Sequence, residues 1–225
     1  MGTLDNLFDE SLGLADYSVR YARYLAELLS SLDERAIERV GQVFEDARES
    51  GRTIFLLGNG GSAATASHVA NDLGLGPRVY GGEAYRAISL TDNVSFMTAA
   101  GNDIGYESIF VEQLRTLLNP RDVVVGISAS GNSPNVVQAI EFAKCQDAVT
   151  VGLTGFDGGA LREIADHSIH IETARGDYGP VEDLHMVLGH LITSYLARRT
   201  AEMARQDLGA SESEPPPGHG APVRA

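Results

Sequence analysis

The chain has 225 residues, 43% of them hydrophobic, which is enough to bury a sizeable core in one large α/β domain. A formal net charge of −14 argues against nucleic acid as the main partner. No apolar run approaches the ~20 residues that span a bilayer, and no basic stretch followed by an apolar one opens the chain, so neither membrane partner nor signal peptide is expected. Residues 4–32 carry Tyr17, Tyr21, Tyr24, Leu25, Leu28, Leu29 and Leu32 at helical spacing. Residues 33–50 continue with Ile37, Val40, Val43, Phe44 and Ala47, with Asp33 as a cap and Gly51 as a stop. Two helices therefore precede the first strand. The first has too much apolar and aromatic surface for a lone arm. It packs either on a partner subunit, the preferred reading, or on its own domain.

Residues 53–57 run without alternation, as in a parallel strand covered on both faces. Gly58, Asn59, Gly60 and Gly61 form a turn where the backbone can approach a ligand closely. Ser62 reads as the N-cap of the helix that follows, whose free N–H groups make an anion site. On that helix His68 and Asp72 are four residues apart and share one face. Read blandly, the turn is only a tight connection and the pair a solvated one. Neither GxGxxG nor Gly-Lys-Ser/Thr is present, so this is no dinucleotide fingerprint or Walker loop. Gly74 and Gly76-Pro77 are expected to end the helix.

A short strand follows at 86–90, then a weak helix within 92–103 ending in Gly101-Asn102-Asp103, and a periodic helix at 105–118. Asp122–Ile127 is a second fully buried strand. It runs into Ser128-Ala129-Ser130-Gly131-Asn132-Ser133-Pro134 and a helix at 135–146. That is a second strand–loop–helix anion site, with serine hydroxyls added and Pro134 in a tolerant first turn. The helix carries Lys144, the only lysine, so a Schiff-base mechanism is poorly supported. It also carries Cys145, the only cysteine, which can form no internal disulfide and points to a reducing, cytoplasmic setting.

Residues 148–154 form a fourth strand, and 160–165 a short helix after Gly155–Gly159. Residues 167–172 alternate and read as a fifth strand at an edge. A long helix at about 181–206 carries Leu184, Val187, Leu188, Leu191, Ile192, Tyr195 and Leu196, together with Glu182, Asp183, His185 and His190. Residues 209–225, rich in Ser, Glu and Pro and including His219, read as a disordered tail. One domain over 1–208 is the result. Strands alternating with helices imply a parallel sheet, and ligands in such sheets bind beyond the carboxyl ends of the strands. Both loops belong to that edge, which raises the case for a phosphate ligand.

Gly58-Asn-Gly-Gly-Ser62 with His68, and Gly126-Ile-Ser-Ala-Ser-Gly-Asn-Ser133, resemble the two signatures of the SIS (sugar isomerase) domain family. Gly101-Asn102-Asp103 and Leu153–Gly159 also match. The resemblance runs to about residue 200 and looks closest to the phosphoheptose isomerases. It implies a three-layer α/β sandwich with a five-stranded parallel sheet flanked by helices, plus N-terminal helices for oligomer packing. It further implies a homotetramer, a zinc ion, and the conversion of sedoheptulose 7-phosphate to D-glycero-D-manno-heptose 7-phosphate through an ene-diol. By position, Asn59, Gly60, Gly61 and Ser62 would bind substrate. Ser128, Ser130 and Ser133, with the Ala129 backbone, would hold the phosphate, and Asn102 and Asp103 would meet sugar hydroxyls. His68, Asp72, Glu182 and His190 would bind the metal, with Asp72, Glu182 and His190 also catalytic.

Two positions depart from the family. Asp72 replaces a glutamate and reaches roughly 1.5 Å less far, the length of one C–C bond. Glu182 replaces a glutamine and adds a charge; it is expected to take over part of the role of base. On a continuous helix Glu182 and His190 stand about 12 Å apart, so one metal meets both only through long reaches, a later helix start or two chains. The competing readings are an isomerase of another sugar phosphate, and a non-catalytic relative such as the DnaA-initiator-associating protein. Retention of Asp72 and His190 favours an enzyme.

Overall fold

The computed structural model describes residues 2–213 and the side chains of residues 2–206. Three helices come first: α1 (Thr3–Asp9), α2 (Leu14–Ser30) and α3 (Glu34–Glu49). The core follows as β1 (Thr53–Gly58), α4 (Gly61–Val79), β2 (Arg86–Ser89), α5 (Val94–Asp103), a 3₁₀ turn at Tyr106–Ser108 and α6 (Val111–Leu117). It continues with β3 (Val123–Ser128), α7 (Pro134–Cys145), β4 (Val149–Phe156), α8 (Gly159–Ile164), β5 (His167–Glu172) and α9 (Tyr178–Ser213).

All strand pairs are parallel and the order is β2-β1-β3-β4-β5. Every residue of β1 and β3 is buried, because helices cover both faces. On one face Ile54, Leu56, Val125 and Leu153 pack with Val40 and Phe44 of α3 and Leu184 and Leu188 of α9. On the other, Phe55, Leu57 and Val124 pack with Val136 and Ile140 of α7 and with Phe110. The three-layer sandwich expected from the resemblance is the observed one, with β5 at an edge as its alternation suggested.

Strand ends shift by one or two residues from the sequence reading, and the helix expected at 105–118 is a 3₁₀ turn at Tyr106–Ser108 followed by α6 (Val111–Leu117); four further differences have visible causes. The stretch 4–32 is two helices, because the Leu12 N–H turns to the Asp16 carboxylate at 3.1 Å and starts a new one. Helix α4 does not stop at Gly74 or Gly76-Pro77. The carbonyl of Leu73, which Pro77 has no N–H to reach, accepts the Tyr85 N–H instead, at 3.1 Å. Ser62 is not the cap; Gly60 is, at φ +54°, and Ser62 is buried in the first turn. Helix α9 begins at Tyr178 and runs to Ser213, so 209–213 continue it, with no proline between Pro180 in its first turn and Pro215 to stop it. Residues 214–225, including His219, lie outside the described residues.

His185 of α9 is fully buried, with Nε2 3.4 Å from the Thr154 carbonyl. Burial pushes its imidazole pKa down to about 4. The unfolded chain binds this proton below its ordinary value of 6.5, and the folded chain refuses it until about 4. Its contribution is therefore complete above pH ~6.5 and is lost as pH falls toward 4, by up to about 3 kcal/mol. Urea midpoints at pH 7 and 4.5 should show this loss, and His185→Gln should flatten it. An equal drop in both proteins would remove His185 as the cause.

Candidate active site

The chain leaves β1 toward β2 on one side and returns to β3 on the other, so the strand order reverses between β1 and β3. That is the switch point where open α/β sheets bind ligands. The register pairs Gly58 with Ile127, which starts the 59–61 and 128–133 loops level with each other.

In the first loop the Asn59 side chain forms a reciprocal amide pair with Asn135, at 2.8 Å in each direction. Asn135 is 1% exposed and sits two residues after Ser133. The Tyr106 hydroxyl donates to the same Asn59 Oδ1 at 3.0 Å. Gly61 lacks a side chain for a visible reason: a Cβ there would meet the Glu182 carboxylate at 2.3 Å. Glu182 thus stands at the start of α4.

In the second loop the Ser128 and Ser133 hydroxyls lie 3.2 Å apart, and the Asn132 N–H donates to Ser130 Oγ at 3.3 Å. Ser133 precedes Pro134, the first residue of α7, as that proline suggested. Ala129 O accepts the Gly155 N–H at 3.0 Å, and Gly131 O accepts the Leu161 N–H at 2.9 Å. The loop after β4 therefore braces the serine loop. Asn102 and Asp103 end α5, exposed, with Asn102 Nδ2 2.6 Å from Asp103 Oδ1.

Helices α4 and α9 cross closely because Gly189 has no side chain; a Cβ there would meet Val69 Cγ2 at 2.6 Å. The next residue, His190, consequently reaches His68. Their Nε2 atoms are 2.8 Å apart, with the rings edge to face. His68 Nε2 is 3.4 Å from Asp72 Oδ2, and Thr193 Oγ1 lies 3.5 Å from the same oxygen. Ligand atoms of His68, Asp72 and His190 all fall within 4.8 Å of one another. In a tetrahedral zinc site with bonds of ~2.1 Å, ligand atoms stand about 3.4 Å apart. The His68–Asp72 separation of 3.4 Å matches that spacing, while the two imidazoles at 2.8 Å would have to part by about 0.6 Å; with that adjustment the donor set of two imidazoles and one carboxylate fits a divalent ion. Glu182 is not in this cluster, so the expected set of four is three within one chain. The cause is the helical rise of about 12 Å between Glu182 and His190.

Other candidates fall away. Lys144 Nζ is held by the Ile164 carbonyl at 2.6 Å and by Asp166 at 3.1 Å. His170 Nδ1 lies 3.0 Å from Thr154 Oγ1, and burial, then the nearby Arg162, lowers its pKa. Asn135, Tyr106 and Thr193 were not singled out in the sequence. The order Ser133-Pro134-Asn135, with a polar side chain just inside a helix behind a loop, was the one available signal for Asn135.

This fold, with its two loops at the switch point, is that of a SIS domain, and residues 19–155, more than half of the chain, match the model of that family. The chain is 38% identical over 162 residues to phosphoheptose isomerase of Akkermansia muciniphila, covering 72% of this chain and 84% of that protein. It is 35% identical over 181 residues to that of Geobacter sulfurreducens, covering 80% and 94%. A solved phosphoheptose isomerase from Neisseria gonorrhoeae superposes with a TM-score of 0.68 at 30% identity, covering 78% of this chain and 96% of that one. The chain belongs to the SIS domain family and, within it, to the phosphoheptose isomerases. Among the described residues no helix is long and apolar enough to cross a membrane.

Proposed function

We propose that this protein is a sugar-phosphate isomerase that converts sedoheptulose 7-phosphate to D-glycero-D-manno-heptose 7-phosphate. The observation that carries the reading is the His68–Asp72–His190 cluster, brought to a sheet protein whose serine loop lies at the switch point. The family relationship supports the same reaction.

The phosphate belongs in the second loop, on Ser128, Ser130, Ser133 and the Ala129 backbone. The Glu182 carboxylate already stands at the start of α4, and a second anion there meets like charge. The first loop, Asn59 to Ser62, is left to the sugar, with Asn102 and Asp103 on its hydroxyls. The phosphate contacts do no bond chemistry. They hold C1 and C2 in place, so that binding energy is used in orientation.

The reaction moves a proton between C1 and C2 through an ene-diol. His68, Asp72 and His190 would hold a divalent ion, zinc by their donor types. Such an ion would polarise the substrate oxygens as a Lewis acid. Glu182, at the start of α4, is the base for the carbon-bound proton, with Asp72, whose second carboxylate oxygen an ion would leave free, as the alternative.

Exposed apolar side chains support a homo-oligomer, which the family resemblance makes a tetramer: Phe8, Leu12, Leu14 and Val19 at the N-terminus, and Val187, Leu191 and Tyr195 on α9. The single cysteine supports a cytoplasmic setting. The test is isomerisation of sedoheptulose 7-phosphate by the purified protein, with and without chelator and added zinc. Chelation should lower turnover at least about 100-fold and zinc should restore it. Binding of the sugar phosphate with no turnover in any metal state would move the protein to another substrate or to a partner-binding role.

A further inference from the structure

We infer that Tyr106 is a substrate-positioning residue, whose hydroxyl latches the Asn102–Asp103 segment onto Asn59. The inference rests on the isomerase reading above. Tyr106 is 60% exposed, so its ring is not held there by core packing. Its hydroxyl nevertheless donates to Asn59 Oδ1 at 3.0 Å, beside the Asn135 Nδ2 donor at 2.8 Å. A carbonyl oxygen has two lone pairs, and both are now used. One Nδ2 hydrogen of Asn59 goes to Asn135 Oδ1, which itself also accepts the Val136 N–H at 3.0 Å. One N–H of Asn59 remains. The amide can therefore only donate to a sugar, and it cannot flip.

Three segments meet at this one amide. The first is the stretch from Asn102 to Tyr106. The second is the loop after β1. The third is the start of α7, directly behind the serine loop. Asn135 is buried and fixes the loop after β1 to α7 permanently. Tyr106 is exposed and is the part that can open. Closed, it sets the distance from the hydroxyl-binding Asn102–Asp103 pair to the loop at the reacting end. The phosphate contacts of Ser128, Ser130 and Ser133 do not pass through it.

The experiment is Tyr106→Phe in the full chain, which removes one oxygen from an exposed ring. KM for sedoheptulose 7-phosphate, and its Kd by calorimetry, should rise about five- to tenfold, the scale of one hydrogen bond. The kcat should stay within about twofold, as for lost uniform binding. The Ki of inorganic phosphate and the melting temperature should not move. Unchanged KM and Kd overturn the inference. So does a parallel rise in the phosphate Ki, which would mean general loosening, or a fall in KM, which would make the hydroxyl a competitor of the sugar. If the wild type binds the sugar phosphate but does not turn it over, the isomerase reading fails and the Kd ratio alone decides for Tyr106. If the wild type binds no sugar phosphate, both fall.

Discussion

His190→Ala is expected to lower kcat/KM for sedoheptulose 7-phosphate at least about 100-fold and to cost the protein its bound metal, with the fold intact. Removing even an outer partner of a metal ligand costs 10- to 100-fold, and His190 is one of the three side chains that converge as candidate ligands among the described residues. The ring is exposed on α9, so its loss should change stability by less than about 1 kcal/mol. Metal content by emission spectrometry, steady-state kinetics and a melting curve decide the matter together. A variant that keeps both its metal and its turnover would show that the convergence at His68, Asp72 and His190 is a solvated cluster. Glu182→Gln separates the roles further. It should keep the metal and lose turnover if Glu182 is the base, whereas Asp72→Ala should lose both.

Gly131→Ala should be the most damaging single change in the serine loop, destabilising by roughly 3 kcal/mol or more. The residue sits at φ +63°, and an added Cβ would lie 1.8 Å from the Gly158 carbonyl oxygen. That neighbour is backbone, so no rotamer change relieves the clash. Gly158 cannot retreat, because its N–H is bonded to the Gly155 carbonyl at 2.8 Å and the next turn is tied to Gly131 O through Leu161. Gly51→Ala is the control. Its φ of +64° is nearly the same, but nothing lies within 4 Å of an added Cβ. It should lose only the cost of a left-handed residue, about 1 kcal/mol. Denaturant midpoints of the two variants separate strain from collision. Inorganic phosphate inhibition should weaken at least about tenfold in Gly131→Ala and not at all in Gly51→Ala. Equal effects of the two substitutions would mean that backbone strain, and not the braced loop, governs the site.

The sheet was legible in the sequence because its physics is local. Unbroken apolar runs at 54–57 and 123–127 are what a strand buried on both faces must look like, and β1 and β3 contain them. The two loops were legible as loops for the same reason, since glycine and serine clusters directly after buried strands end them; a ligand is not implied by that pattern alone. Helix ends were less legible. Pro77 reads as a stop in isolation, yet the carbonyl it strands finds a donor in Tyr85, eight residues further on. Propensity weighs the cost of a missing bond; only the packed structure supplies the replacement. Ser62 failed as a cap in a similar way, because Gly60 reached a backbone conformation that left no place for one.

By itself the sequence determined the elements and the candidates on them: two histidines, two carboxylates, three serines and the Asn102–Asp103 pair. It could not decide which of them meet. That depended on the crossing of α4 and α9, which brings together His68 and His190 from 122 residues apart, and on Gly189, whose missing side chain lets the helices close. The same crossing brings His190 to His68 and Asp72 and leaves Glu182 at the start of α4, because one straight helix rises about 12 Å between them. The tertiary structure likewise placed Asn135 and Tyr106 on Asn59. Amide and hydroxyl groups are common in any chain, and only three-dimensional contact distinguishes a pair that fixes a site from one that meets water.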